Sequence, residues 1–312
     1  MIEQRLERGV LPILYVRNAT VLPVGIVLKG WRLLRESCFW DRPHLVSYWQ
    51  RYGIYKKLTL RRSAEDIEEG LLIHHPWSNN YTHWFADCLP RLLSVERYTE
   101  LPILLPEEYQ PFTRESLRAL GVKKLIPLKR NLLYSVRRLV LPHMPALDSL
   151  ANSYAQLQYF RQVFLSQWGG TPQGKRIYLS REKATRRKVV NEGEILPILE
   201  KYGFMVIRAE EFSFAEQVRI FSQANVLLAL HGSGHMNLLW MPSGSKIIEV
   251  LSESHVRRTP PQFLYANFSR LLAHEHYYFL APTAPHSLRD IFDTADVILE
   301  PDKLDAFLGS IL

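Results

Sequence analysis

The chain has 312 residues, 47% of them hydrophobic and 22% charged. That length accommodates two domains of ordinary size, and the composition is that of a folded chain, so extended disorder is excluded. A formal net charge of +8 points to an anionic partner, whether nucleic acid, an anionic membrane surface or a phosphorylated small molecule, without choosing among them.

In chain order, the opening residues carry charges where a signal peptide needs an apolar run, and nowhere do about 18 apolar residues follow one another. The two cysteines, Cys38 and Cys88, form neither a metal-ligand pattern nor a secreted disulfide framework, which fits a reducing compartment. A cytoplasmic protein, with peripheral contact to an anionic membrane, is expected. Residues 11–40 read as short β segments, 71–90 as a dense cluster of polar and aromatic residues, and 101–105 and 139–141 as strands. Helical sequence at 153–168, followed by GGTPQGK, marks the junction between an N-terminal domain at 1–168 and a C-terminal domain at 169–312.

From there the alternation is regular: strand 176–180, helix 194–202, strand 204–208, helix 213–224, strand 226–230, a short helix near 236–241, strand 246–251, helix 262–273 and strand 277–280. Ser213 with Glu216 three residues on forms a capping-box pattern, and Gly203 a helix stop. Pro197 falls beyond the first turn of its helix, so that helix either starts later or is kinked. Strands alternating with helices at this spacing predict an α/β fold with a parallel sheet covered on both faces.

Strand 226–230 ends in His231-Gly232-Ser233-Gly234. A strand that passes through glycines into a helix lets the backbone approach a ligand, and the N–H groups of the helix's first turn then face it; phosphate is the usual ligand. The same pattern also serves as a plain tight turn. A second loop, YLSREKATRRKVVNE at 178–192, follows another strand and carries Arg181, Lys183, Arg186, Arg187 and Lys188. Guanidinium groups grip phosphate oxygens in pairs, so two of them near a helix start would hold a diphosphate; a solvated basic loop is the alternative. Glu249 sits inside the apolar run KIIEVL and needs a partner, either a hydroxyl-bearing ligand such as a ribose or a neighbouring Arg.

Together, YLSREKATRRKVVNE and SFAEQVRIFSQANVLLALHGSGHMNLLWMPSGSKIIEV resemble the family 61 glycosyltransferases, with weaker agreement at NNYTHWFADCLPRL. The resemblance implies a GT-B-like architecture, two Rossmann-like domains facing across a cleft, with the acceptor on the N-terminal side and the nucleotide sugar held by the C-terminal domain. It implies inverting, metal-independent transfer from a nucleotide sugar, UDP-linked by family habit, to a glycan or lipid-linked acceptor, in surface or capsular polysaccharide assembly. Ser180 and Arg181 match the family's Ser-Arg motif, Arg186 or Arg187 its following arginine, His231, Gly232 and Gly234 its His-Gly-Ala-Gly motif, and Asn237 and Glu249 its downstream Asn and Glu. Ser233 stands where Ala is usual, and His235 replaces a customary apolar residue.

No Asp-x-Asp arrangement is present to hold a metal-bound diphosphate, and no cofactor is expected, so cationic side chains and helix N–H groups must stabilise the leaving nucleotide. His231 and His235 are four apart, but Gly-Ser-Gly between them is a poor helical scaffold for a metal pair.

Inversion also needs a base for the acceptor hydroxyl. His83 and Asp87 are four apart, which places them on one face of a helix, with Pro90 and Arg91 following as in the family's related segment. Either a His oriented by an Asp or an Asp acting directly is chemically sound, with His74 and His75 in reserve; the structural alternative is a packed His83 beside an Asp87 that binds Arg91. A non-catalytic nucleotide- or glycan-binding protein on the same fold is the competing reading. Nucleic acid ranks last as a partner because no recognised binding module is present.

Overall fold

The computed structural model describes residues 11–30, 32–38, 64–130, 132–143, 154–258, 264–287 and 295–312. The predicted segment positions 31, 39–40, 153 and 262–263 lie outside them. The chain is mixed α/β and divides into two compact units, Met1–Val163 and Phe164–Leu312. Among the described residues no helix is long and apolar enough to cross a membrane.

The first unit holds a seven-stranded sheet in the order β3-β2-β1-β7-β4-β5-β6. Its strands are β1 (Ile13–Val21), β2 (Val27–Lys29), β3 (Arg32–Leu33), β4 (Ala64–Leu72), β5 (Ile103–Pro106), β6 (Leu125–Leu128) and β7 (Leu133–Pro142). β7, β4, β5 and β6 run parallel, while β1 to β3 add an antiparallel edge. The four parallel strands fit the α/β expectation for this half of the chain, and the antiparallel edge is an addition to it. β4 escaped the sequence reading because its first seven residues, AEDIEEG, include four acids. Those carboxylates face solvent, where Glu68 meets Arg137 at 3.3 Å and Glu69 meets Arg138 at 3.5 Å across the β4–β7 pair.

After β4 the chain forms a broken helix: α1 (Tyr81–His83), a π-helical turn (Trp84–Cys88) and α2 (Leu89–Leu93). Asn80 caps its start, its side-chain oxygen accepting the Thr82 N–H at 2.9 Å. Buried Trp84 anchors it through an indole N–H donated to Ser116 Oγ at 2.9 Å, on α3 (Pro111–Ala119). Arg91 is fully buried. Its guanidinium donates two hydrogen bonds to the Pro142 carbonyl, at 2.9 and 2.7 Å, and one to the Ile73 carbonyl at 2.7 Å, tying the helix to the ends of β7 and β4. Burial pulls its pKa down to about 10, which leaves it charged at neutral pH.

α4 (Tyr154–Trp168) leads into the second unit, a five-stranded, all-parallel sheet in the order β12-β11-β10-β8-β9. Its strands are β8 (Lys175–Leu179), β9 (Phe204–Ile207), β10 (Ala224–Leu230), β11 (Lys246–Ser252) and β12 (Glu275–Ala281). α5 (Glu192–Lys201), α6 (Phe214–Ser222), α7 (Glu253–Arg258), α8 (Leu264–Leu271) and α9 (Pro301–Ile311) supply the helices. α5 begins earlier than expected and keeps Pro197 inside it; the residue one turn back is Gly193, with open space around it. The Ser213–Glu216 capping box forms at the start of α6.

The short helix expected near 236–241 is a 3-10 helix, Ser233–Trp240. It starts directly at the glycine turn with no side-chain cap and winds tightly because Met236, Leu238, Leu239 and Trp240 are all drawn into the core. Trp240 packs edge-on against Phe164 and Phe214.

From β8 the chain moves outward to β9 and then returns to the other side of β8 as β10. The order therefore reverses between β8 and β10, and in open parallel sheets ligands bind outside the carboxyl ends of the strands at such a reversal. The two loops at that point are 180–188 and 231–234.

Replacing Arg91 with Leu strands the Pro142 and Ile73 carbonyls in the core. We expect a stability loss of about 3 kcal/mol or more by urea unfolding, with little recovery in Arg91→Lys, whose single nitrogen cannot reach both acceptors as a rigid fork.

Candidate functional site

In the second unit, β8 delivers Ser180 and Arg181, and β10 delivers His231. Ser180 is buried, and its Oγ accepts the Glu182 N–H at 3.2 Å, closing the first turn of the basic loop. Arg181 donates Nε–H to the Arg187 carbonyl at 2.9 Å and Nη2–H to the Arg186 carbonyl at 3.3 Å, so the loop folds back around its own arginine. Arg187 has a left-handed backbone, φ +57°, and its guanidinium reaches the His231 carbonyl at 3.4 Å. The Arg186 side chain is exposed. Burial, then the Arg187 charge, lowers the Arg181 pKa. Two guanidinium groups held this close are arranged for an anion.

The glycines leave room for it. A Cβ on Gly232 would lie 3.2 Å from Arg181 Nη1 and 3.5 Å from Arg187 Nη1, and one on Gly234 would strike the Leu179 side chain at 2.3 Å. Gly232 thus keeps the space beside the guanidiniums open, and Gly234 lets the 3-10 helix close on β8. Ser233 begins that helix, whose first N–H groups have no intrahelical acceptor. Asn237 is buried, with its amide donating to Gln217 Oε1 at 3.2 Å. It braces the 3-10 helix to α6.

Glu249 is 2% exposed, and its partner is neither an arginine nor open space. One carboxylate oxygen accepts the His231 Nδ1–H, and the other accepts the His276 Nε2–H at 3.0 Å. Burial alone would raise its pKa, but the two imidazole donors outweigh burial and hold the carboxyl well below its usual range. His235, the departure from the family pattern, is fully buried and stacks on Tyr265 with ring centroids 5.1 Å apart. Among the described residues neither of its ring nitrogens has a hydrogen-bond partner. Burial pushes its pKa down to about 4, so it is neutral at pH 7.

In the first unit, the π-helical turn brings His83 and Asp87 together, Nδ1 to Oδ2 at 2.7 Å, and His75 Nε2 approaches the same oxygen at 3.5 Å. Asp87 is buried. Burial would raise its pKa, yet the His75 and His83 donors bring it below the ordinary carboxylate value. Asp87 is therefore an anion that accepts from His83 and has His75 Nε2 3.5 Å from the same oxygen, and the side chain reaching solvent is His83, 24% exposed against 4% for Asp87. With its Nδ1–H given to Asp87, His83 has Nε2 as its basic atom.

His74 is taken up structurally, with its ring nitrogens 2.9 Å from the Leu104 and Pro23 carbonyls. One ligand atom each from His75, His83 and Asp87 lies within 4.8 Å of the other two, a spacing that suits a transition-metal ion. The Trp77 N–H argues against that use. It donates to His75 Nδ1 at 3.3 Å, which puts the ring proton on Nε2, the atom that faces Asp87 and would have to bind the ion.

Sequence reasoning missed His276, Tyr265 and Asn80, and held His75 only in reserve. The signal for His276 was the demand of Glu249 for a partner, but which strand lies beside β11 is not written in local sequence.

A model of the family "Glycosyltransferase 61" matches residues 81–248. Several curated relatives share the printed name protein O-linked-mannose beta-1,4-N-acetylglucosaminyltransferase 2. The protein from Bos taurus is 28% identical over 153 residues, 45% of this chain and 26% of the relative. That from Mus musculus is 25% identical over 154 residues, with the same shares. That from Homo sapiens is 30% identical over 84 residues, 26% of this chain and 14% of the relative. The chain thus matches about a quarter or less of the length of these relatives.

Two outcomes follow from the geometry. Gly232→Ala places a methyl against both guanidiniums at a backbone φ of +156° that L side chains rarely adopt, and is expected to weaken any nucleoside diphosphate binding here about tenfold by calorimetry. His235 has a folded pKa below its ordinary value of 6.5, so wild-type stability is full above pH 6.5 and drains as pH falls toward about 4. His235→Leu removes that loss, and urea midpoints at pH 7.5 and 5 should differ less in the variant than in wild type.

Proposed function

The chain belongs to glycosyltransferase family 61, and on that footing we propose that it transfers a sugar, with inversion and without a metal, from a UDP-linked donor to a glycan or lipid-linked acceptor. The observation that carries this reading is the pair of guanidiniums, Arg181 and Arg187, flanking Gly232 at the strand-order reversal of the parallel sheet. A diphosphate needs concentrated positive charge, and the two guanidiniums beside Gly232 supply it.

In this reading the second unit binds the donor, as the C-terminal domain of a GT-B-like enzyme. Arg181, Arg187, His231 and the N–H groups at Ser233 and Gly234 hold the diphosphate; Ser180 and Asn237 shape the loops, and exposed Arg186 adds long-range attraction. The first unit activates the acceptor. His83 Nε2 takes the proton of the acceptor hydroxyl while its Nδ1–H remains on Asp87, which stabilises the imidazolium that forms. The acceptor oxygen bonds to the anomeric carbon, and the bond from that carbon to the phosphate oxygen breaks with its electron pair leaving on the nucleoside diphosphate. The cationic side chains stabilise that developing charge.

The family relatives named above act, by their printed names, on O-linked mannose. For this chain the proposed setting is surface or capsular polysaccharide assembly at the cytoplasmic face of a membrane. Two buried cysteines outside any disulfide and the +8 charge support it, since each Lys or Arg near an anionic surface contributes about 1 kcal/mol.

The test is transfer from UDP-, GDP- and CMP-sugars to oligosaccharide and lipid-linked acceptors in the presence of a chelator. We expect metal-independent turnover with one nucleotide, a fall of roughly 10²- to 10⁴-fold in kcat for His83→Ala and Asp87→Asn, and unchanged nucleotide affinity in both. A folded wild type that binds nucleotide but transfers to no acceptor would make a binding-only member of the fold the better reading.

A further inference from the structure

The buried Glu249 carboxylate has two donors, and only one of them, His231, belongs to the glycine turn. We propose that His276, on β12, is a positioning residue for the donor site: it holds Glu249 so that Glu249 fixes His231, and Glu249 acts on the bound nucleotide through that imidazole rather than by touching a ribose. This rests on the donor reading above.

The proton arrangement follows from the donor and acceptor inventory. An ionised carboxylate only accepts, so both ring nitrogens facing Glu249 carry hydrogen: His231 Nδ1–H and His276 Nε2–H. His276 Nδ1 is then an acceptor, and Ser269 Oγ on α8 lies 2.9 Å away and donates to it. Ser269 is fully buried and the His276 side chain is 8% exposed, so neither has a solvent alternative that would compete for these bonds. The chain runs Ser269 to His276 to Glu249 to His231, and each link fixes the tautomer of the next.

At its end, His231 is the member that reaches the surface, 16% exposed against 2% for Glu249. With Nδ1–H committed, the atom it can offer a ligand is Nε2. Its backbone is fixed as well: the His231 N–H donates to the Val250 carbonyl at 2.8 Å, its carbonyl accepts from Arg187, and Tyr265 stands edge-on to its ring at 5.4 Å. With Nδ1–H held by the carboxylate, Nε2 is kept at a fixed place, where it donates to a phosphate oxygen once it carries a proton.

The first unit contains the same construction. There a buried carboxylate, Asp87, accepts from a partly exposed ring, His83, and has a fully buried ring, His75, 3.5 Å from the same oxygen. His276 is to Glu249 what His75 is to Asp87. Neither buried histidine makes sense as a ligand contact, and both make sense as the second donor that keeps the acid ionised in the core.

The experiment compares His276→Phe, which keeps a ring and deletes the donor, with His276→Gln, whose amide N–H can replace Nε2–H. Two signals are read: the nitrogen resonances of the His231 imidazole in the ligand-free protein, and the dissociation constant for UDP. We expect His276→Phe to lose the fixed Nδ1–H tautomer of His231 and to weaken UDP binding roughly tenfold, and His276→Gln to restore both. An unchanged His231 tautomer in a folded His276→Phe would overturn the inference, as would equal effects of Phe and Gln, which would reduce His276 to packing. The ligand-free signal separates the two readings. A tautomer that responds in a protein with no affinity for UDP would sink the donor reading and leave the relay standing, and UDP binding with an unresponsive tautomer would do the reverse.

Discussion

A carboxylate taken out of water stays ionised only if hydrogen-bond donors replace the solvent it has lost. This chain meets that requirement twice with the same means: Asp87 between His75 and His83, and Glu249 between His231 and His276. An arginine would satisfy either acid as well, but it would bring its own permanent charge and leave no second functional atom. An imidazole gives one N–H to the acid and presents its other nitrogen elsewhere. In each unit one of the two rings is the more buried, and the other reaches further toward the surface. The more buried ring sets the acid, and the acid sets the more exposed ring.

The rest of the fold serves to hold these clasps open on one side. In the second unit, the strand order puts the carboxyl ends of β8 and β10 side by side, and Gly232 keeps the space next to the guanidiniums clear. The 3-10 helix after it departs from ordinary α geometry because four large apolar residues are pulled inward within a few positions. In the first unit a π-helical turn that starts directly after His83, a form frequent at functional sites, carries Asp87, while buried Arg91 fastens the helix to β4 and β7. The local conformations at both clasps are unusual, and each is stabilised by contacts outside the clasp.

Much of this was legible in the sequence where the signal was periodic. The βαβ rhythm after residue 175 follows from apolar runs of strand length broken by capping and stop residues, and the capping box at Ser213 was readable as written. β4 was not readable, because an acidic strand whose charges face solvent does not look like a strand. The pairing of His83 with Asp87 came from a four-residue spacing that holds within one helical stretch. The partner of Glu249 did not, because it depends on β12 lying beside β11, a consequence of long-range topology. The sequence demanded a donor for that acid and offered no way to choose a histidine 27 residues away over a nearby arginine.

The most direct measurement is a crystal structure of the protein with a bound nucleoside diphosphate. The account predicts phosphate oxygens between the Arg181 and Arg187 guanidiniums beside Gly232, within hydrogen-bond distance of His231 Nε2, with Glu249 still accepting from both His231 and His276. A nucleotide bound away from the β8 and β10 loops would contradict it, as would a Glu249 that had released His231 and turned to the ribose.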